Sequence, residues 1–380
     1  MTWEWLNRRL KKGRSGVSAA EIRQPEVRWV AAADNPWGVP VLDVRPLTLQ
    51  MLAFSANPKC AQNALSFGQD DGTSFIGIEP AGPGSIPVGL RFPIDRILAD
   101  GALFVPSQME HKWAIYFHRG HMIFIRSWLR KVQVVARIET EGDYIEVADL
   151  RGQFAESDEE PSLTRRVLDY LLRSHALNMV YPAPLPRGLE ADPKKAAAWC
   201  FSMFGNRVQF ATPHALPTTP PKQLLRTHSS LHIAVARGQL EAVRSYLDAG
   251  WPVDLLAGDG LAPLHWAVVR DDTAIFELLL ERASPIDVRS AEGATPLMTA
   301  VQGRSVAKAA LLLDHGADPN ARDNKGFTAL HRAAEIGEVQ IVRLLLERGA
   351  FPHPDAAGHT PLSLAQGRAQ TAVVKLLSTY

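Results

Sequence analysis

Only two of the 380 residues are cysteines, Cys60 and Cys200. They lie far apart and form no C-x-x-C pair, which excludes a disulfide framework and a cysteine-based zinc site. Free thiols fit a reducing, cytoplasmic compartment. Charge of one sign is also lacking. Lys and Arg number 41 against 40 for Asp and Glu, so no global field draws in nucleic acid or an acidic substrate. No apolar run approaches the roughly 18 residues that a membrane span needs. The opening stretch, MTWEWLNRRLKKGRSG, is basic but lacks the apolar core of a signal peptide. Trp3, Leu6 and Leu10 sit at helical spacing there, which predicts a short docking helix with a solvated basic side rather than one lying on a membrane or on nucleic acid. Catalytic motifs are missing as well: no H-E-x-x-H, no nucleophile elbow and no kinase set. EPAGPGSIPVG is glycine-rich, but its prolines break both phosphate-binding patterns. No cofactor or bound metal is expected.

What the chain does have is a repeat. Leu231, Leu264, Leu297 and Leu330 are each 33 positions apart, and Leu362 follows after 32. Gly260, Gly293, Gly326 and Gly358 each lie four positions before the leucine of their copy. The local sequences SSLH, APLH, TPLM, TALH and TPLS keep the phase. Self-similarity at this period means a stacked array, because one unit cannot bury its own apolar face and about three or more can. Pro263, Pro296 and Pro361 fit a first helical turn, and Thr295, Thr328 and Thr360 fit helix caps. Gly250, Gly316 and Gly349 sit where a helix ends in a left-handed residue. Ile341, Leu344 and Leu345 form an apolar stripe.

These residues resemble the ankyrin repeat family, from about residue 225 to 380, most clearly in GFTALHRAAEIGEVQIVRLLLERGA. The resemblance implies an all-α solenoid of about five repeats that binds a protein partner through its concave groove and turn tips. The groove positions it implies are Ile233, Trp266, Thr299, Arg332 and Leu364, with Arg289, Arg322, Asn324 and Phe327 at the tips. Trp266 and Arg332 are the expected anchors, since Trp and Arg often dominate interfaces. The competing view of Trp266 is that it only covers a neighbouring repeat. The second copy departs from the pattern at Ala262, Asp271 and Ala283, which predicts a locally softer repeat or one held by the preceding domain.

TPHALPTTPPK, residues 212–222, carries four prolines and reads as an extended linker. It divides a front domain, 1–211, from the repeats at 223–380. The front domain reads as α+β. KWAIYFHRGHMIFIRSW alternates as a hairpin with Arg119-Gly120 at the turn, so that His118 faces His121 and Trp113 faces Arg126. KVQVVARIET and YIEVADL extend it into an antiparallel meander. VPVLDV and SFIGIE read as further short strands, and NPKCAQNALSF as a short helix. SLTRRVLDYLLRSHALN and DPKKAAAWCFSMFG read as helices, the second capped by Asp192. The hairpin segment resembles uncharacterised bacterial domains, which implies a bacterial source and brings no known activity with it.

Chemistry in the front domain is thin. His118 and His121 could hold a metal with Glu110 or His111, but a histidine pair beside a turn is ordinary polar surface. Arg126 could bind an anion, or simply stack on Trp113. Cys60 has no base placed beside it in the sequence and reads as a structural thiol. The acidic run ESDEEP, Glu156 to Pro161, is explained by a helix start. The composite reading is a non-catalytic interaction protein. Its alternative is an enzyme, effector or defence protein whose front domain acts on a target that the repeats recruit.

Overall fold

The computed structural model describes residues 26–53, 55, 57–82, 84–155 and 160–379. The basic helix expected within the first 14 residues lies outside that range, as do residues 156–159 of the acidic run.

The front domain is built on two sheets. The smaller contains β1 (Arg28–Val30), β2 (Val41–Asp43), β9 (Ala183–Pro184) and β10 (Phe210–Thr212), in the order β1-β2-β10-β9. The larger has seven antiparallel strands. In it β3 (Ile86–Pro93), β4 (Gly101–Phe104), β5 (Trp113–His118), β6 (His121–Arg126), β7 (Lys131–Glu141), β8 (Tyr144–Gly152) and β11 (His228–Ser229) take the order β11-β4-β5-β6-β7-β8-β3. Strands β4 to β8 follow one another as the expected meander. The β5–β6 register pairs Trp113 with Arg126 and His118 with His121. Arg119 and Gly120 both have positive φ, 49° and 74°, the signature of a two-residue type I′ turn.

Both faces of this sheet are covered, which is why the central hairpin has almost no polar alternation. All six residues of β5 are buried. Trp113, Ile115, Phe117 and Phe124 join the main core. Beneath it lie α1 (Arg45–Thr48), α3 (Pro161–Leu171) and α4 (Pro193–Phe204). Asp192 caps α4 by accepting from the amides of Lys194 and Lys195. Ala114, Tyr116, Ile123 and Ile125 pack on the opposite side with Phe67 and Phe75, next to α2 (Pro58–Ser66). SFIGIE is not a strand: Thr73–Phe75 form a 3-10 turn, because Gly72 at φ 85° turns the chain onto Tyr116. Helix α3 does not stop cleanly. It continues as a π turn over Leu172–Ala176.

The proline-rich stretch is strapped to the front domain. Arg166 donates to Pro213 O at 2.6 Å, and Arg173 to Thr219 O at 2.9 Å. Beyond it the chain returns to the large sheet as β11, pairing with β4, before the repeats begin. Five helix pairs follow: α5 (Ser230–Arg237) and α6 (Leu240–Asp248), α7 (Pro263–Val268) and α8 (Ala274–Glu281), α9 (Pro296–Gln302) and α10 (Val306–Asp314), α11 (Ala329–Ile336) and α12 (Val339–Glu347), α13 (Pro361–Gly367) and α14 (Thr371–Leu377). First helices pack on first helices and second on second, so each repeat buries its apolar stripe against its neighbours. Among the described residues no helix is long and apolar enough to cross a membrane.

Candidate functional site

The repeats are joined by their first helices and turns. Thr295, Thr328 and Thr360 cap α9, α11 and α13, accepting from the amides of Met298, His331 and Ser363. The buried His265 Nδ1 accepts from the Ala262 amide at 3.3 Å. Its Nε2 is therefore the protonated nitrogen and donates to Ala294 O, at 3.0 Å, in the next repeat. His331 Nε2 lies 3.1 Å from His359 O in the same way. Burial depresses the pKa of both rings, which keeps them neutral at the repeat boundaries.

A family profile described as ankyrin repeats, in three copies, matches residues 231–323 and 310–380. Residues 231–380 are ankyrin repeats. No curated protein matches the sequence. Ankyrin repeats are a protein–protein interaction module, which directs attention to the ankyrin groove.

The second ankyrin repeat differs from the others. Ala262 offers no side-chain cap. Gly238 and Gly337 close their first helices at φ 72° and 82°, but Asp271 at the same position has no positive φ. Arg304 and Ala369, at the same position of the third and fifth repeats, keep the left-handed turn at φ 56° and 55°, so the second repeat alone lacks it; its α7 ends at Val268, and Val269 is 64% exposed. Arg270 folds back on the first repeat, donating to Ala236 O at 2.7 Å and to Asp272 at 2.6 Å. It fills the space over Gly238, where a Cβ would meet its guanidinium at 2.2 Å. The result is an open cleft of about 360 Å³ lined by Ala236, Trp266, Val269, Arg270 and Asp271.

Trp266 is half-buried in this cleft. Its ring lies 5.7 Å from that of His228 in β11 and 5.8 Å from that of His232 in the first repeat. Its Nε1 is buried without a hydrogen-bond partner. Most of the other positions expected to bind are engaged within the stack, whereas Arg322 is exposed and takes part through its carbonyl. Arg332 pairs with the buried Asp323 at 2.8 Å. Thr299 donates back to Thr295 O. Arg289 donates to Gly293 O and to Arg322 O, and Asn324 donates to Ala291 O. Phe327 lies 5.2 Å from His331. Ile233 and Leu364 are half-buried. Sequence reasoning missed Val269, whose exposure goes with the short α7 and the fold-back of Arg270 onto Ala236, a contact between repeats that no local pattern marks.

The front-domain candidates do not converge. His118 is buried, with Nε2 2.7 Å from Asp71 O. His121 is half-buried, with Nδ1 3.0 Å from Arg119 O. Glu110 and His111 lie at the far end of β5, about 20 Å away at the rise of a strand, and cannot join the pair at a metal. Among the described residues no group of three or more His, Cys, Asp or Glu could hold one. Arg126 stacks 5.0 Å from the Trp113 ring and donates to Met203 O and Ser202 O. Those bonds tie the guanidinium to the C-terminal end of α4. Cys60 is half-buried and Cys200 fully buried, and burial raises the Cys200 pKa.

One cluster the sequence did not single out lies on the π turn. Ser174 Oγ donates to Tyr170 O at 2.7 Å and so must accept from His175 Nδ1, also at 2.7 Å. That leaves His175 Nε2 an unprotonated acceptor, buried and without a partner. Arg207 Nε is likewise buried and unpartnered, while its Nη2 donates to Ser174 O. Burial first, then the Arg207 charge, holds the His175 pKa far below its ordinary value. The signal was the RSH triplet inside an amphipathic helix.

Proposed function

We propose that this protein is a non-catalytic interaction protein. Its ankyrin repeats capture a protein partner through the concave groove and turn tips, and the front domain serves as a platform fixed to the first repeat. The cleft in the second repeat carries the reading: Trp266 and Val269 offer apolar surface flanked by Arg270 and Asp271. An exposed valine beside a half-buried indole fits an apolar anchor with a polar rim.

The test starts from a partner cross-linked to the wild-type chain in its native cell and then produced pure. Val269→Glu places a charge in the cleft without touching the core, and should weaken the complex by roughly 2 kcal/mol or more with an unchanged melting curve. Trp266→Ala should weaken it comparably, with some loss of stability because the ring also packs on His228 and His232. Arg332→Ala is the contrast: its bond to Asp323 predicts a loss of stability larger than its effect on capture. Undiminished binding by Val269→Glu would remove the cleft from the interface.

A second reading draws support from the π turn, since such turns are frequent at functional sites. In it the front domain is an enzyme, effector or defence module acting on a target that the repeats recruit, with His175 and Arg207 as its polar groups.

A further inference from the structure

His118 ends β5 with its side chain 1% exposed. It is wedged between two loops. Its Nε2 is 2.7 Å from the Asp71 carbonyl, and its Nδ1 is 3.6 Å from the Asp100 carboxylate. Both neighbours are acceptors. A neutral ring can donate to only one of them and turns a lone pair towards the other. The imidazolium alone satisfies both.

The first ankyrin helix bridges the same two loops. Ser230, which opens α5, donates its amide to Asp100 O at 3.0 Å. Arg237, which closes α5, reaches Gly68 O at 3.4 Å. Between the loops and the helix, Thr227 Oγ1 donates to Ala99 O at 2.8 Å, and Ser229 pairs with Gly101. Gly101 must be glycine at this contact, because a Cβ would lie 2.4 Å from His228 O. We propose that His118 is a pH-sensitive latch that fixes the ankyrin stack to the large sheet by holding the Asp100 and Asp71 loops in the positions α5 needs.

The charges around the ring all belong to this junction. Asp100 comes from the loop before β4, Asp71 from the loop after α2, Arg119 from the hairpin turn and Arg237 from α5; Tyr116 stacks beside the ring at 6.3 Å. Burial opposes the charged ring, but its ion pair with Asp100 and its hydrogen bond to the Asp71 carbonyl outweigh that and raise the His118 pKa. A raised folded-state pKa gives stabilisation that is complete below the unfolded value of about 6.5 and is lost as pH rises through the folded value. His228, His232 and His265, on the ankyrin side, have lowered pKa values. Their change of charge is displaced towards low pH, the opposite direction from that of His118.

The experiment follows amide exchange in the full chain, corrected for intrinsic rate, between about pH 5.5 and 8.5, alongside the NMR titration of the His118 ring. In the wild type, protection of the Gly101 and Ser230 amides should fall by roughly tenfold or more as pH rises, with the midpoint of the ring titration. In His118→Gln, which keeps a donor for Asp71, protection should be flat across the range. Three results would overturn the latch: pH-independent protection in the wild type, the same fall in His118→Gln, or a ring that is neutral at pH 5.5. Should the variant not fold, a mismatch between the two wild-type midpoints is decisive against it.

Discussion

Single residues set where this fold is strained. Ala283 follows α8 at φ 61°, where the sister repeats have Gly250, Gly316 and Gly349 at φ 85°, 86° and 84°. A Cβ in this region crowds the following carbonyl, at a cost of about 1–2 kcal/mol for an ordinary residue. Glycine removes that crowding but adds freedom to the unfolded chain, which offsets part of the gain. Ala283→Gly should therefore stabilise the protein by a few tenths to about 1 kcal/mol in urea unfolding. A clear destabilisation would mean that the turn relaxes to another backbone in solution. This residue was legible in the sequence because a 33-residue period shows what each position wants. Asp271 was legible only in part. Its departure from glycine was visible, but the shortened helix and the exposure of Val269 depend on Arg270 folding across to Ala236, a contact between repeats that no local pattern encodes.

Repeating elements make their chemistry repeat, and the first helices carry it. His232, His265 and His331 are buried in the first, second and fourth repeats, and burial lowers the pKa of each, that of His232 to about 3. In the unfolded chain these rings take up protons near pH 6.5. Below that value the unfolded state binds protons that the folded state refuses, so the stabilisation present at neutral pH is lost as pH falls towards the folded values. Each pH unit crossed costs about 1.4 kcal/mol per histidine. Urea midpoints of the ankyrin stack, measured from pH 7 down to 4, should fall steadily, while the His118 latch alone would weaken in the opposite direction, towards high pH. A midpoint unchanged down to pH 4 would place these rings in contact with water. The front-domain elements were less legible. The meander, its turn and the Asp192 cap followed from alternation and turn chemistry, but SFIGIE looked like a strand because nothing in its composition marks the close approach of Gly72 to Tyr116. The two-sided burial of β5 also hid which of its faces meets the larger core.

At the scale of the whole molecule the open issue is where the front domain ends. Composition draws the line at the prolines of residues 212–222, and a proline-rich segment ordinarily carries few contacts. Here Arg166 and Arg173 bind its carbonyls, and the chain beyond it returns to the large sheet. Leu225 is fully buried in the front-domain core and donates its amide to Pro93 O at 2.7 Å. Thr227 bonds to Ala99 O, and β11 covers the edge of β4. A net 0.5–1.5 kcal/mol per hydrogen bond and about 2 kcal/mol for the leucine make this segment worth several kcal/mol. For a domain of this size each kcal/mol moves the melting point by about 2–4 °C. A fragment of residues 1–230 should accordingly melt about 5–10 °C above a fragment of residues 1–211. Equal melting points would show that residues 223–230 belong with the repeats alone, and that the β11–β4 pairing needs the ankyrin stack to hold it. A higher melting point for the longer fragment would mean that the repeats grow directly from a strand of the front sheet. A partner seated on Trp266 would then press, through His228, on the edge of that sheet.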